Sequence, residues 1–101
     1  MMPASPSDAI DAMLRIEGDM TIYRAAELRE QLMEALQGDQ PLTIDLSGVT
    51  EFDSAGLQLL LAACATAAGQ GQPLRLARPS PAVRNTLALF GLDEALTAGR
   101  A

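Results

Sequence analysis

Leu42-Thr43-Ile44-Asp45-Leu46-Ser47 alternates apolar and polar side chains with the period of two that a half-buried strand requires. After seven intervening residues begins Ala55–Ala68, a run without one charged side chain, rich in Leu and Ala. A helix with so little polar face is buried on most sides, or buried on one side and docked to a partner on another. Gly69-Gln70-Gly71 supplies its stop. A strand feeding such a helix, with a further strand beyond, points to a layered α/β arrangement with crossover connections.

The remaining segments fit that arrangement. Ala12–Glu17 is predicted as a strand with Leu14 and Ile16 on one face, Gly18-Asp19 as a turn, and Met20–Tyr23 as a second strand hairpinned to the first. Ala25–Gln37 is predicted as a helix: Leu28, Leu32 and Leu36 lie on one stripe, Glu27, Glu30 and Glu34 on the other side, and Gly38 is expected as a left-handed cap. Gly48 is expected to interrupt the strand from Leu42. Leu74–Ala77 reads as another strand. Ser80 and Pro81 read as the N-cap and first residue of a helix whose stripe is Val83, Leu87 and Phe90, with Gly91 as its stop. Leu92–Leu96 is expected as a last short helix. The expectation is a small mixed-sheet α/β domain with about four strands and three or four helices, part parallel and part antiparallel.

Residues 1–11 are small, polar and Pro-rich and read as a flexible tail, with residues 12–101 as a single domain. The N-terminus lacks the basic start and apolar core of a secretory signal. The longest apolar stretch falls short of the roughly 20 residues that span a bilayer. A cytoplasmic location without membrane insertion is expected.

Composition narrows the chemistry. All seven basic residues are Arg, there is no His, and thirteen acids give a net charge of −6. The absence of His and Lys removes imidazole acid/base work, His phosphotransfer, the phosphate-loop lysine and Schiff-base chemistry. The acidic balance argues against a nucleic-acid module. Cys64, the single cysteine, sits among alanines and reads as a buried thiol. No cofactor, no metal and no enzymatic activity are expected.

The segment with most to offer is Glu51-Phe52-Asp53-Ser54-Ala55-Gly56-Leu57, where a strand ends and the apolar helix begins. Unpaired N–H groups and a partial positive charge collect there, so a phosphate on Ser54 is electrostatically tolerated. Asp53 and Ser54 are equally ordinary N-caps, and the residue types leave both readings open. Gly56, with no side chain, is expected to let another surface approach the Ser54 hydroxyl, unless it serves helix packing alone. Asp19, Asp45, Glu51 and Asp53 invite a metal reading, but they are spread over loop and strand and are read as solvated acids. Phe52 is expected beneath the Ser54 loop, Phe90 in the core, and Tyr23 exposed. Arg75, Arg78 and Arg84 read as a solvated face.

Thr43-Ile44-Asp45-Leu46-Ser47-Gly48-Val49 followed by Asp53-Ser54-Ala55-Gly56-Leu57 resembles the signature of STAS domains, the anti-sigma factor antagonist modules that also occur fused to sulfate transporters. Glu17–Ile22 and Pro79–Leu92 resemble other parts of that family, so the likeness runs from about Met13 to Leu96. The resemblance implies a bacterial, non-enzymatic signalling module. Its Ser54 would be phosphorylated by a partner serine kinase of the anti-sigma type and dephosphorylated by a phosphatase. It implies a partner surface of Asp19, Thr21, Tyr23, Glu51, Asp53, Ser54, Ala55, Gly56 and Leu57. Two other roles accompany the family: a constitutive subunit on the ATPase of a bacterial lipid-transport ABC system, and a component of a chemotaxis-type pathway.

Overall fold

The computed structural model describes residues 12–38 and 40–92. Its elements are β1 (Ala12–Met20), a 3₁₀ turn (Ile22–Arg24), α1 (Ala25–Ala35), β2 (Leu42–Phe52), α2 (Ser54–Gln70), β3 (Leu74–Ala77) and α3 (Pro81–Leu89). The strands form one sheet in the order β1-β2-β3, and both pairings are parallel. The α/β class is as expected. The opening hairpin is not: residues 12–20 form one strand that pairs with β2 along its length, and residues 22–24 wind into a 3₁₀ turn. Gly18 has a φ of 86° but causes an irregularity inside β1, not a reversal. Among the described residues the sheet is wholly parallel.

Two successive crossovers in the same direction place α1 and α2 on one face of the sheet, where they pack on each other. The core between the layers holds Leu28, Leu32 and Leu36 from α1, Leu57, Leu60, Ala63 and Ala67 from α2, and Ile16, Met20, Leu42, Ile44, Leu46 and Val49 from the strands. α3 lies along the second half of β2, where β3 no longer reaches: the Ser80 N–H donates to the Leu46 carbonyl at 3.2 Å and the Thr86 hydroxyl to the Phe52 carbonyl at 3.5 Å.

β2 runs through Gly48, which does not interrupt it. Arg15 and Glu17 of β1 stand opposite Asp45 and Gly48, and Gly18 and Asp19 opposite Val49 and Glu51. β2 therefore carries one extra residue at each of two bulges, and each flips the face on which its side chains emerge. The inward series Leu42, Ile44, Leu46 continues as Val49 and then Phe52, at a spacing of three. A Cβ at Gly48 would come within 2.9 Å of the Cγ of the exposed Glu17, so any other residue at the first bulge requires that side chain to shift.

The helix ends follow from their caps. Ser80 accepts from the Val83 N–H with Pro81 in the first turn, as expected. At the C-terminus of α2 the Gly71 and Gln72 N–H groups donate to the Ala68 and Ala67 carbonyls, and at that of α3 the Gly91 and Leu92 N–H groups donate to Ala88 and Leu87. Both glycines have φ near +68°, the paired bonding of a Schellman cap. In α3 this cap stops the helix before Phe90 can reach the stripe of Val83 and Leu87. Leu92 packs against the core instead, and Phe90 is 57% exposed, which corrects its expected place in the core. Gly38 lacks the expected left-handed φ. The last helix expected from Leu92 to Leu96 falls, apart from Leu92, outside the described residues.

Gly56 sits where α2 crosses the end of β1. A Cβ there would run into the Met20 carbonyl oxygen and crowd Met20 Cβ and Phe52, whereas one at Gly69, in the same helix, would meet nothing within 4 Å. Gly56→Ala should therefore destabilise the domain by about 1–3 kcal/mol through overpacking, while Gly69→Ala should be neutral or stabilise by up to about 1 kcal/mol. Urea denaturation of the two variants beside wild type measures the contrast.

Candidate functional site

Parallel strands bring the ends of β1 and β2 to the same edge of the sheet, and the 3₁₀ turn and the start of α2 emerge there side by side. Asp53 joins them. Its backbone is extended, its N–H donates to the Met20 carbonyl at 3.3 Å, and its carboxylate is the N-cap of α2, accepting the Gly56 N–H at 3.1 Å. Its other oxygen accepts the Ile22 N–H, the first donor of the 3₁₀ turn, at 3.2 Å. One side chain thus satisfies backbone donors from both elements. Thr21 caps the 3₁₀ turn by accepting the Tyr23 N–H at 3.3 Å and donates its own hydroxyl to the Asp19 carboxylate. Arg24 reaches back to the Glu17 and Asp19 carbonyls, at 2.7 and 2.9 Å, and holds the irregular end of β1 in place.

With Asp53 as the cap, Ser54 is free of that duty. It is the first residue of α2, it is exposed, and its hydroxyl has no hydrogen-bond partner among the described residues. The two readings of this pair divide between two residues: Asp53 caps and Ser54 is presented. Tyr23, 92% exposed, and Glu51 stand open beside it, with Asp19, Asp53 and Ala55 partly covered. Thr21, Gly56 and Leu57 are buried. In the folded domain these three, expected on a partner surface, support the edge from beneath. Gly56 in particular lets α2 approach β1, and clears no path for another molecule to Ser54.

The four acids considered for a metal are not held together. Asp19, Glu51 and Asp53 share the site's edge, but Asp45 lies in the first half of β2, and no metal-binding group occurs among the described residues. Nor is Asp45 a solvated acid. Its carboxylate is buried, accepts the Ser47 N–H at 2.9 Å, and sits 3.7 Å from the Arg15 guanidinium and 3.5 Å from that of Arg78. The hydrogen bonds from Ser47 hold its pKa below the ordinary 3.8, against desolvation and helped by the two guanidinium groups. Arg78 adopts a left-handed φ of 54° just before Pro79 and also donates to the Ser47 hydroxyl. It is thus tied into this cluster, while Arg75 and Arg84 are exposed. Cys64 is half-buried, and burial pushes its thiol pKa up.

Ile22 and Arg24, which the sequence does not single out, also belong to this edge. Ile22, expected in a strand, is left 67% exposed by the 3₁₀ turn. Thr21 two residues after an acid was the available signal, since such hydroxyls cap turns.

A family described as Mlab, STAS domain, matches residues 5–98. The chain belongs to the STAS family. STAS domains are typically non-catalytic binding or signalling modules. Three solved structures share the fold. The anti-sigma factor antagonist SpoIIAA in its unphosphorylated form aligns with a TM-score of 0.67 at 22% identity, over 82% of this chain and 75% of its own. The SulP transporter STAS domain from Vibrio cholerae gives 0.65 at 18%, over 88% and 70%. A sulfate transporter family protein from Wolinella succinogenes gives 0.72 at 22%, over 89% and 74%.

Two measurements test this geometry. Asp53→Ala should cost about 1–2 kcal/mol, the loss of a helix cap, while Ser54→Ala should stay within about 0.5 kcal/mol of wild type in the same denaturation assay. A lowered carboxylate pKa stabilises the fold at pH values above the ordinary one, and that contribution fades as pH falls through the folded-state value. Denaturant midpoints should accordingly fall for wild type as pH drops below 3.8. Asp45→Asn should start lower at pH 7 and show a shallower acid slope.

Proposed function

We propose that this STAS domain is a non-enzymatic, cytoplasmic signalling module whose binding to regulatory partners of the anti-sigma type is switched by phosphorylation of Ser54. The observation that carries this reading is the division of work at the start of α2: Asp53 satisfies the fold, and the exposed Ser54 hydroxyl is left unused by it. The likeness to SpoIIAA, described in an unphosphorylated form, adds support.

In this reading the chain supplies only the acceptor. A partner serine kinase brings the nucleotide, the metal ion and the base. The Ser54 oxygen forms a bond to the γ-phosphorus, its proton passes to the kinase base, and the nucleoside diphosphate departs. The product adds about −1.5 to −2 charges beside Asp53 and Glu51. The helix terminus offsets part of the repulsion, so the domain stays folded. At a docked interface the added charge must be stripped of water, and binding is lost. A phosphatase restores the first state.

Incubation with ATP and a serine kinase encoded in the same genome, followed by mass spectrometry, should place one phosphate on the Ser54 peptide. Ser54→Ala should abolish it and keep partner binding, while Ser54→Asp should weaken binding at least about tenfold, or 1.4 kcal/mol. Tighter or unchanged binding by Ser54→Asp would give the switch the wrong sign. A second reading, a constitutive subunit on a transporter ATPase, is favoured by the Mlab description and by the two transporter-family structures with this fold. Stable co-purification with an ATPase, with no phosphate on Ser54 under any kinase tried, would select it.

A further inference from the structure

Of the seven large hydrophobic side chains exposed among the described residues, four lie at one end of the molecule. Ile22 and Tyr23 are 67% and 92% exposed, Leu89 and Phe90 84% and 57%. The two pairs are tied to consecutive residues of one strand end. The Ile22 N–H donates to the Asp53 carboxylate, and the Thr86 hydroxyl donates to the Phe52 carbonyl. Leu89 and Phe90 follow Thr86 by three and four residues, so they lie on the same side of α3 and a turn further on, beyond the end of β2. Ser54 is the next residue after Asp53. The segments that carry the two exposed apolar pairs are thus hydrogen-bonded to the two residues that precede it.

Charge sets the character of the surface. Asp19 and Glu51 are register neighbours on adjacent strands, an unfavourable pairing of like charges. Neither they nor Asp53 form an ion pair with any described residue, because nearby Arg24 is engaged by backbone carbonyls and by Glu27. The patch therefore offers aromatic and aliphatic anchors with uncompensated carboxylates beside them.

We infer that this end of the domain, including the Leu89–Phe90 end of α3, docks a protein segment that presents aliphatic side chains flanked by Arg or Lys. The inference rests on the proposed partner-binding role of the Ser54 surface and specifies the partner's chemistry. Buried aromatic anchors supply most of such an interface's affinity, and the charges at its margin supply orientation and encounter rate.

The probe is a synthetic amphipathic helix of Leu and Arg, titrated into the full isotope-labelled chain and followed by amide chemical shifts, with a Leu/Glu helix as control. The Leu/Arg peptide should shift Ile22, Tyr23, Ser54 and Leu89–Phe90. Leu89→Ser/Phe90→Ser, at exposed positions, should weaken it at least tenfold, and Glu51→Gln two- to fivefold. Gly69→Ala, in α2 away from this end, should bind as wild type does, and the chain is used unphosphorylated throughout, so a failure of phosphorylation leaves this result untouched. Equal shifts with the Leu/Glu helix, no shift with either peptide, or shifts centred away from the Ser54 end would overturn the inference. So would stronger retention on anionic phospholipid vesicles than on the peptide. None of these outcomes bears on whether Ser54 accepts phosphate.

Discussion

The carboxylate of Asp53 bridges two structures that sequence separates by thirty residues. It takes the first free N–H of the 3₁₀ turn after β1 and the Gly56 N–H in the first turn of α2. An Asn or Ser side chain has one acceptor oxygen, whereas the carboxylate presents a separate oxygen to each donor. Beneath it, the missing side chain of Gly56 brings α2 against the Met20 carbonyl. The two features act together: the glycine sets how near the helix comes, and the aspartate fixes its starting point. Ser54 follows Asp53 directly, so its orientation is inherited from a residue that cannot move without freeing two backbone donors.

The opposite end of the domain is secured by different chemistry. The Gln70 amide donates to the Leu36 carbonyl at 2.8 Å and to Gln72, whose own amide donates to the Gln40 carbonyl at 2.9 Å. These bonds satisfy an orphan carbonyl at the end of α1 and join it to the end of α2. Asp45, Arg15, Arg78 and Ser47 tie all three strands across the middle of the sheet. Polar pairing is thus committed at the far end and across the strands. At the Ser54 end Asp19 and Glu51 have no ion-pair partner among the described residues, and large apolar side chains are exposed, the kind of surface that marks an interaction site.

Local signals were read correctly where the cause was local. The Leu28–Leu32–Leu36 stripe, the Leu42–Ile44–Leu46 alternation and the Ser80-Pro81 cap all appear where periodicity and capping chemistry place them. The errors arose where a distant segment decides. Gly18-Asp19 looks like a turn in isolation, but β1 has a parallel partner thirty residues away that holds it extended. Two bulges convert the period of β2 from two to three, which in sequence resembles an interruption at Gly48. Phe90 follows helical arithmetic, yet the Gly91 cap ends the helix and hands the core position to Leu92. At the site, residue types alone could not apportion capping and presentation between Asp53 and Ser54, because either side chain can cap. The hydrogen bonds make that division.

The proposed switch and the proposed partner chemistry pull in opposite directions at long range, and magnitudes decide between them. A phosphate on Ser54 would increase the attraction of this acidic end for a cationic segment. Across water, however, two unit charges 4 Å apart gain only about 1 kcal/mol, and salt reduces that further. At contact the balance reverses. Ser54 follows the strand end to which the Ile22–Tyr23 and Leu89–Phe90 segments are hydrogen-bonded, where docking expels water, and a desolvated dianion costs several kcal/mol unless cations meet it directly. Arg or Lys groups drawn from Asp19, Glu51 or Asp53 to meet it would leave those carboxylates unpaired in turn. A phosphorylated domain would thus still meet its partner at an undiminished rate and fail to keep it, the control acting through dissociation.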